Sequence, residues 1–212
     1  MKTFLLYTSV VGLFLTAFMG QKPLKPISLF DGKSLNGWQG DTKNTWRIEN
    51  GTIVGGSLVN EVPHNDFLCT TKSYVNFILK LKIKLIGNAG FINSGIQFRS
   101  KRLAEPAYEM TGYQADWGKG YWASLYDESR RNITLVKPDS IQIQKWIKIN
   151  DWNNYEVRAE NRRIRLYING HNTVDYTEKD LTIPQEGLIG VQIHGGGKAQ
   201  VAFKDITIQE MK

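Results

Sequence analysis

YEVRAENRRIRLYING, residues 155–170, decides the fold class. Tyr155, Val157 and Ala159 alternate with Glu156, Arg158 and Glu160. After the polar stretch around Asn161 the alternation resumes, with Ile164, Leu166 and Ile168 set against Arg163 and Arg165. A period of two puts apolar side chains on one face of a strand and charges on the other. AENRR reads as a hairpin turn, and Asn169-Gly170 as the end of the second strand. Working outward, the pattern returns in TWRIENGTIVG (45–55, with a turn at ENG), NFILKLKIKL (76–85), SGIQFRS (94–100), LIGVQIHG (188–195) and AQVAFKDITIQEM (199–211). In Lys80–Lys84 the lysines alternate with apolar residues, as on the wet face of a strand. Helical periodicity is scarce, and one short turn is expected near Tyr176–Leu181, ahead of Pro184. The expected fold is all-β, a two-sheet antiparallel sandwich or jelly roll.

Lys2 precedes an apolar run from Phe4 to Met19, so residues 1–20 have the form of a secretory signal peptide, with an N-terminal anchor as the alternative. Residues 27–212 are then expected to form one jelly-roll domain, with no membrane-spanning part beyond that leader. Cys69 is the single cysteine among 212 residues, so no intramolecular disulfide is possible. It sits in apolar FLCT and is expected in the core. Export without disulfides points to a bacterial periplasm, cell surface or secreted location. The formal charge of +7 is scattered along the chain and follows no nucleic-acid-binding motif, so no nucleic-acid partner is expected.

Three strands carry polar groups able to orient a ligand. Ile96 and Phe98 oppose Gln97 and Arg99; Tyr113 and Ala115 oppose Gln114 and Asp116; Val191 and Ile193 oppose Gln192 and His194. These six polar residues are expected to line one cleft. Asp116 is read as a general base, a metal ligand or a partner for Arg99. His194 precedes Gly195-Gly196-Gly197, where backbone can approach a ligand. Between Asp116 and Gln144 lies an expected long loop, with Trp117–Arg131 as a wall of the cleft. In it, Trp117 and Trp122 offer faces for sugar rings, and Tyr126 and Glu128 are candidate acids. Asp127 and Glu128 would face opposite ways on a strand. Trp38, Trp46 and Trp152 fall in framework segments and are expected in the core. No zinc-like spacing of Cys and His exists, but Asp31 and Asp205 are a possible structural calcium pair if the terminal strands meet.

These segments, in order, resemble a family. SLFDGKSLNGW (28–38), TWRIENGTIVGG, NSGIQFR, GYQAD, DWNNYEVRAENRRIRLYING, GLIGVQIHGGG and VAFKDITI together resemble the bacterial 3-keto-disaccharide hydrolases over residues 27–212. The resemblance implies a concanavalin-like jelly roll with a concave sheet, and cleavage of sugars through 3-keto intermediates. Many members read GYE-x-Q where this chain has Gly112-Tyr113-Gln114-Ala115-Asp116, so acid and amide are exchanged. No carboxylate pair suited to a double-displacement glycosidase is visible. The expected activity is therefore an exported enzyme acting on a carbohydrate oxidised at carbon 3. A base takes the carbon 2 proton, the carbon 1 substituent leaves, and water adds. Asp116 or His194 is the expected base. Arg99, with or without a divalent metal, would stabilise the enolate, Gln97, Gln114 and Gln192 would orient hydroxyls, and Tyr126 or Glu128 would protonate the leaving oxygen. The alternative is a non-catalytic glycan-binding module on the same face.

Overall fold

The computed structural model describes residues 24–211; the leader expected over residues 1–20 lies outside them. In chain order the strands are β1 (Ile27–Ser28), β2 (Trp38–Gln39), β3 (Trp46–Glu49), β4 (Thr52–Gly56), β5 (Asp66–Tyr74), β6 (Phe77–Gly90), β7 (Asn93–Arg102), β8 (Met110–Gly118), β9 (Leu125–Glu128), β10 (Ile133–Val136), β11 (Asn153–Glu160), β12 (Arg163–Ile168), β13 (His171–Thr177), β14 (Gly187–Ile193) and β15 (Gly197–Glu210). One helix, α1 (Ser140–Trp146), lies between β10 and β11. The strands form two antiparallel sheets. One has the order β13-β12-β11-β6-β15-β4-β3, with β1 added beside β15; the other runs β10-β9-β8-β7-β14-β5-β2.

The alternation of the sequence becomes the sandwich. Along β6, Phe77, Leu79, Leu81, Ile83 and Leu85 are buried, while the lysines between them face out. Tyr155, Val157 and Ala159 of β11 join them, as do Ile164, Leu166 and Ile168 of β12. The facing sheet contributes Ile96, Phe98, Tyr113, Ala115, Leu125, Val191 and Ile193. Each such aliphatic or aromatic side chain stabilises the fold by about 1.5–3 kcal/mol on burial, so the two inner faces hold the sheets together.

The hairpins follow the turn chemistry. Asn50 and Gly51 both have positive φ, 50° and 73°, and join β3 to β4; Asn169 and Gly170, at 49° and 87°, join β12 to β13. Asn161 (φ 49°) turns β11 into β12. Paired left-handed residues match the strand twist, and Asn-Gly adopts them at little cost.

Three expectations are corrected. The helix is at Ser140–Trp146 rather than near Tyr176–Leu181, where β13 simply ends and Leu181 is exposed. Asp139 caps α1 by accepting from the Ile141 and Gln142 amides. Only Ile143 of this helix is buried, and the I-Q-I-Q alternation hides it from a search for helical period. The expected long loop resolves into β9 and β10, which extend the seven-stranded sheet. Trp152 lies outside the core, with the Lys84 and Lys204 ammonium groups 5.2 and 4.3 Å from its ring centroid. Trp38 and Trp46 are buried as expected.

Candidate functional site

The outer face of the seven-stranded sheet is built from residues one step out of phase with the core. Tyr126, Gln114, Gln97 and Gly190 are consecutive cross-strand partners, and Asp116, Gly95 and Gln192 form the next row. Phe67, Cys69 and Met110 make a small apolar cluster beside them, separate from the main core. The glycines shape this face. A Cβ on Gly95 would lie 2.7 Å from the Gln114 side chain, so Gln114 lies down over Gly95, between Asp116 and Gln192. Gln97, Gln114 and Gln192 are buried. Gln97 Nε2 and both amide atoms of Gln192 have no hydrogen-bond partner. Buried amide groups are normally paired, and orphaned ones mark the place of a ligand or bound water.

Two carboxyl groups stand on this platform. Glu128 is half-buried and accepts from Gln114 Nε2 at 3.2 Å. Burial pushes its pKa up to about 7, with added repulsion from Glu109 and Asp116; the Gln114 amide pulls slightly the other way. Asp116 is nearly inaccessible, at 4% exposure. Its Oδ1 accepts from Asn93 Nδ2 and from the Trp117 amide, each at 2.8 Å. Burial raises it to about 7 as well, offset by those hydrogen bonds and by Lys137. Tyr126, beside Gln114, is half-buried, and burial together with Glu128 keeps its phenol protonated past the usual range. Asp127 points the other way, into the molecule, where Arg130 and Arg131 pair with it.

His194 follows β14, and its amide donates to the carbonyl of Asn93, the residue whose side chain holds Asp116. Its ring meets Phe91 edge-on at 4.6 Å. Arg99 does not join the face. A bulge between Phe98 and Lys101 puts it at φ 48° and reverses its phase. Its guanidinium is spent on Val75 O, Gln185 Oε1 and Asn76 Oδ1. Trp117 is a core residue, edge-on to Trp122 at 4.7 Å and to Tyr155 at 5.9 Å. Trp122 packs against the core and lines a separate, mostly apolar cavity of about 570 Å³ with Leu85 and Ile92. Neither tryptophan therefore offers a sugar platform on the glutamine face. β1 does pair with β15, but Asp31 is bound to its own turn (Lys33 and Ser34), while Asp205 pairs with Lys82. No group of three or more His, Cys, Asp or Glu able to hold a metal occurs among the described residues.

His64 reads as a surface turn residue in PHND and Tyr121 as one of the aromatics between Asp116 and Gln144, while Tyr108 and Phe91 carry no signal in the sequence. His64 stacks on Tyr108 at 3.7 Å, and Phe91 meets Tyr121 edge-on at 6.2 Å. The glycine triplet is the signal that points to His64. A Cβ on Gly195 would lie 2.6 Å from His64 Cα, and the Gly195 amide donates to Asn65 Oδ1. Only glycine lets the two backbones meet so closely. Nδ1 of His64 and of His194 each lies 2.7 Å from a backbone carbonyl oxygen. A carbonyl only accepts, so Nδ1 of each ring carries a proton and donates to it.

Residues 25–209 match the sequence profile of the family described as the 3-keto-alpha-glucoside-1,2-lyase-like domain. The chain belongs to that family. No curated protein matches it. Among solved structures, this 3-keto-alpha-glucoside-1,2-lyase-like domain is similar to a candidate glycosyl hydrolase from Parabacteroides distasonis (TM-score 0.65, 21% identity, 88% of this chain and 94% of that one). It is also similar to a carbohydrate-binding module from Bacillus subtilis (TM-score 0.62, 17%, 82% and 96%) and to the β-glucanase of Bacillus licheniformis (0.52, 10%, 91% and 100%). At these identities the likeness establishes the carbohydrate-related jelly-roll fold. No helix among the described residues is long and apolar enough to cross a membrane.

Proposed function

We propose that the outer face of the seven-stranded sheet cleaves glycosides already oxidised at carbon 3. The observation that carries this reading is Glu128. It is a half-buried carboxyl with its pKa pushed up to about 7, held by Gln114 on the face where Gln97 and Gln192 keep unpaired amide atoms. A ketone at carbon 3 acidifies the carbon 2 hydrogen, and a base with a pKa near the working pH is best suited to take it. Glu128 carboxylate accepts that proton. The enolate oxygen accepts from the free Nε2 donors of Gln97 and Gln192, which are fixed before the charge forms. The carbon 1–oxygen bond breaks and the leaving oxygen takes the phenolic proton of Tyr126. Water then adds across the carbon 1–carbon 2 double bond, giving net hydrolysis.

Asp116 is assigned a positioning role rather than that of base, because one oxygen is taken up by Asn93 and the Trp117 amide and little of the group is open to a substrate. Arg99 has no place in this scheme. The apolar run near the N-terminus and the lone Cys69 support export to the periplasm or cell surface of a bacterium. The test is incubation with a 3-keto-disaccharide and with its unoxidised parent. The keto sugar alone should be cleaved, and Glu128→Gln should lower the rate about 10²–10⁴-fold. Binding of both sugars without cleavage of either would replace this reading with that of a glycan-binding module.

A further inference from the structure

A cavity of about 820 Å³ opens at one end of β5, β7, β8 and β14, beside this face, lined by Ser73, Ser100, Thr111 and Ser129 among others. Ser100 links it to the platform: its Oγ donates to Phe98 O at 2.9 Å and lies 3.4 Å from Gln97 Oε1. Two lining residues, Arg99 and Ser129, hold left-handed backbone, at φ 48° and 51°. Such conformations carry a cost in non-glycine residues and gather at functional sites.

The charge of this cavity is unbalanced. Its lining includes Arg99, Lys101 and Arg130 against the single carboxylate of Glu186. Arg130 is accounted for, since Arg130 and Arg131 pair with Asp127 and Glu178 in a neutral network. Arg99 is not. It is buried, yet its guanidinium bonds only to neutral oxygens, and no carboxylate of the described residues lies within ion-pair distance. Buried charges are normally paired. Burial chiefly lowers its pKa to about 10, opposed by Tyr113 and helped by nearby Arg162. Arg162 also bonds to carbonyl oxygens, those of Glu178 and Asp180. Lys101 is exposed and makes no hydrogen bond or ion pair among the described residues.

We infer that this cavity is a subsite for an acidic sugar. It receives the oxyanion of a residue linked to the one that faces Glu128, with serine and threonine hydroxyls meeting the sugar's own. The inference rests on placing the substrate on this sheet face, and it specifies the substrate class as a glycan bearing a carboxylate or sulfate. A hydrogen bond to a charged group is worth about tenfold or more in affinity.

The experiment is an NMR titration of the isotope-labelled protein with glucose, glucuronate, glucose 6-sulfate and inorganic sulfate. Either acidic sugar, or both, should bind about tenfold more tightly than glucose at low ionic strength, shifting the amides of Lys101, Thr111 and Leu188. The advantage should shrink at about 0.5 M salt. Lys101→Gln, a surface change that leaves the fold alone, should lower the acidic sugar's affinity several-fold and leave glucose unaffected. Glu186→Gln should raise it. Equal binding of glucose and both acidic sugars, inorganic sulfate binding as tightly as the sugars, or indifference to both substitutions would overturn the inference. None of these probes carries a ketone, so the result is independent of whether Glu128 cleaves a 3-keto sugar.

Discussion

Replacing Glu128 by Gln should make the protein more stable at alkaline pH while removing its cleavage activity. The carboxyl is held at about 7 against an ordinary value of 4.5, chiefly by burial. Each tenfold change in proton affinity is worth about 1.4 kcal/mol. Ionised Glu128 therefore costs the fold about 3 kcal/mol, reduced toward about 2 kcal/mol by solvent screening of a half-open group. The sign follows from proton counting. Between pH 4.5 and about 7 the folded protein holds this proton and the unfolded chain has lost it, so stability falls as pH rises through that window. Gln keeps the size and the acceptor for Gln114 Nε2 but carries no charge. Urea unfolding of both proteins at about pH 4.5 and about pH 8.5 measures the effect. The two should be equally stable in acid, and the variant should lead by about 2–3 kcal/mol in alkali. A difference that does not vary with pH, or a variant weaker than wild type at alkaline pH, would show that the carboxyl is not desolvated and would remove the basis for calling it a tuned base.

Cleavage at limiting substrate should rise through about pH 7 as Glu128 ionises and stay level above it, because Tyr126 remains protonated. Asp116→Asn should retain turnover and move that midpoint downward, since it deletes a neighbouring negative charge; lost turnover with an unmoved midpoint would make Asp116 the base. Gly95→Ala should cut cleavage about tenfold and also lower the melting temperature, because its Cβ collides with the buried Gln114 side chain and displaces it from the platform. Glu178 is pushed up by burial but held at about 2 by Arg131, Tyr113, the Asp180 amide and Tyr176, so it stabilises the fold above pH 4.5 and that stability is lost as pH falls toward 2. Glu178→Gln should flatten the acid limb of the stability profile, and an unchanged acid transition would refute the network's contribution.

Much of this was legible in the chain. Alternation in β6, β11 and β12, with Asn-Gly at the turns, is a local property and marks both strands and their inward faces. The three outward glutamines could be read the same way, since a strand in unbroken phase keeps every second residue on one side. Arg99 shows where the method ends. One extra residue in a bulge reverses the phase, and nothing in SGIQFRS announces it; it shows only in the register β7 keeps with β8 and β14. Trp117 and Trp122 looked like sugar platforms because aromatics in an apparent loop suggest exposure, but the loop is two further strands and Trp117 belongs to the core. Glu128 was legible as a candidate acid, not as the base. Its importance depends on Gln114 and Gln192 from other strands, and on a desolvation that no spacing encodes. His64 and His194 lie 130 positions apart and share a rim only because Gly195 lets the two backbones touch. The sequence by itself determined which residues form strands, where they turn and which faces are apolar, because these depend on neighbours a few positions away. Tertiary structure decided which polar groups are brought together and how far each is removed from water, because burial and proximity are set by strand order and register across the whole chain.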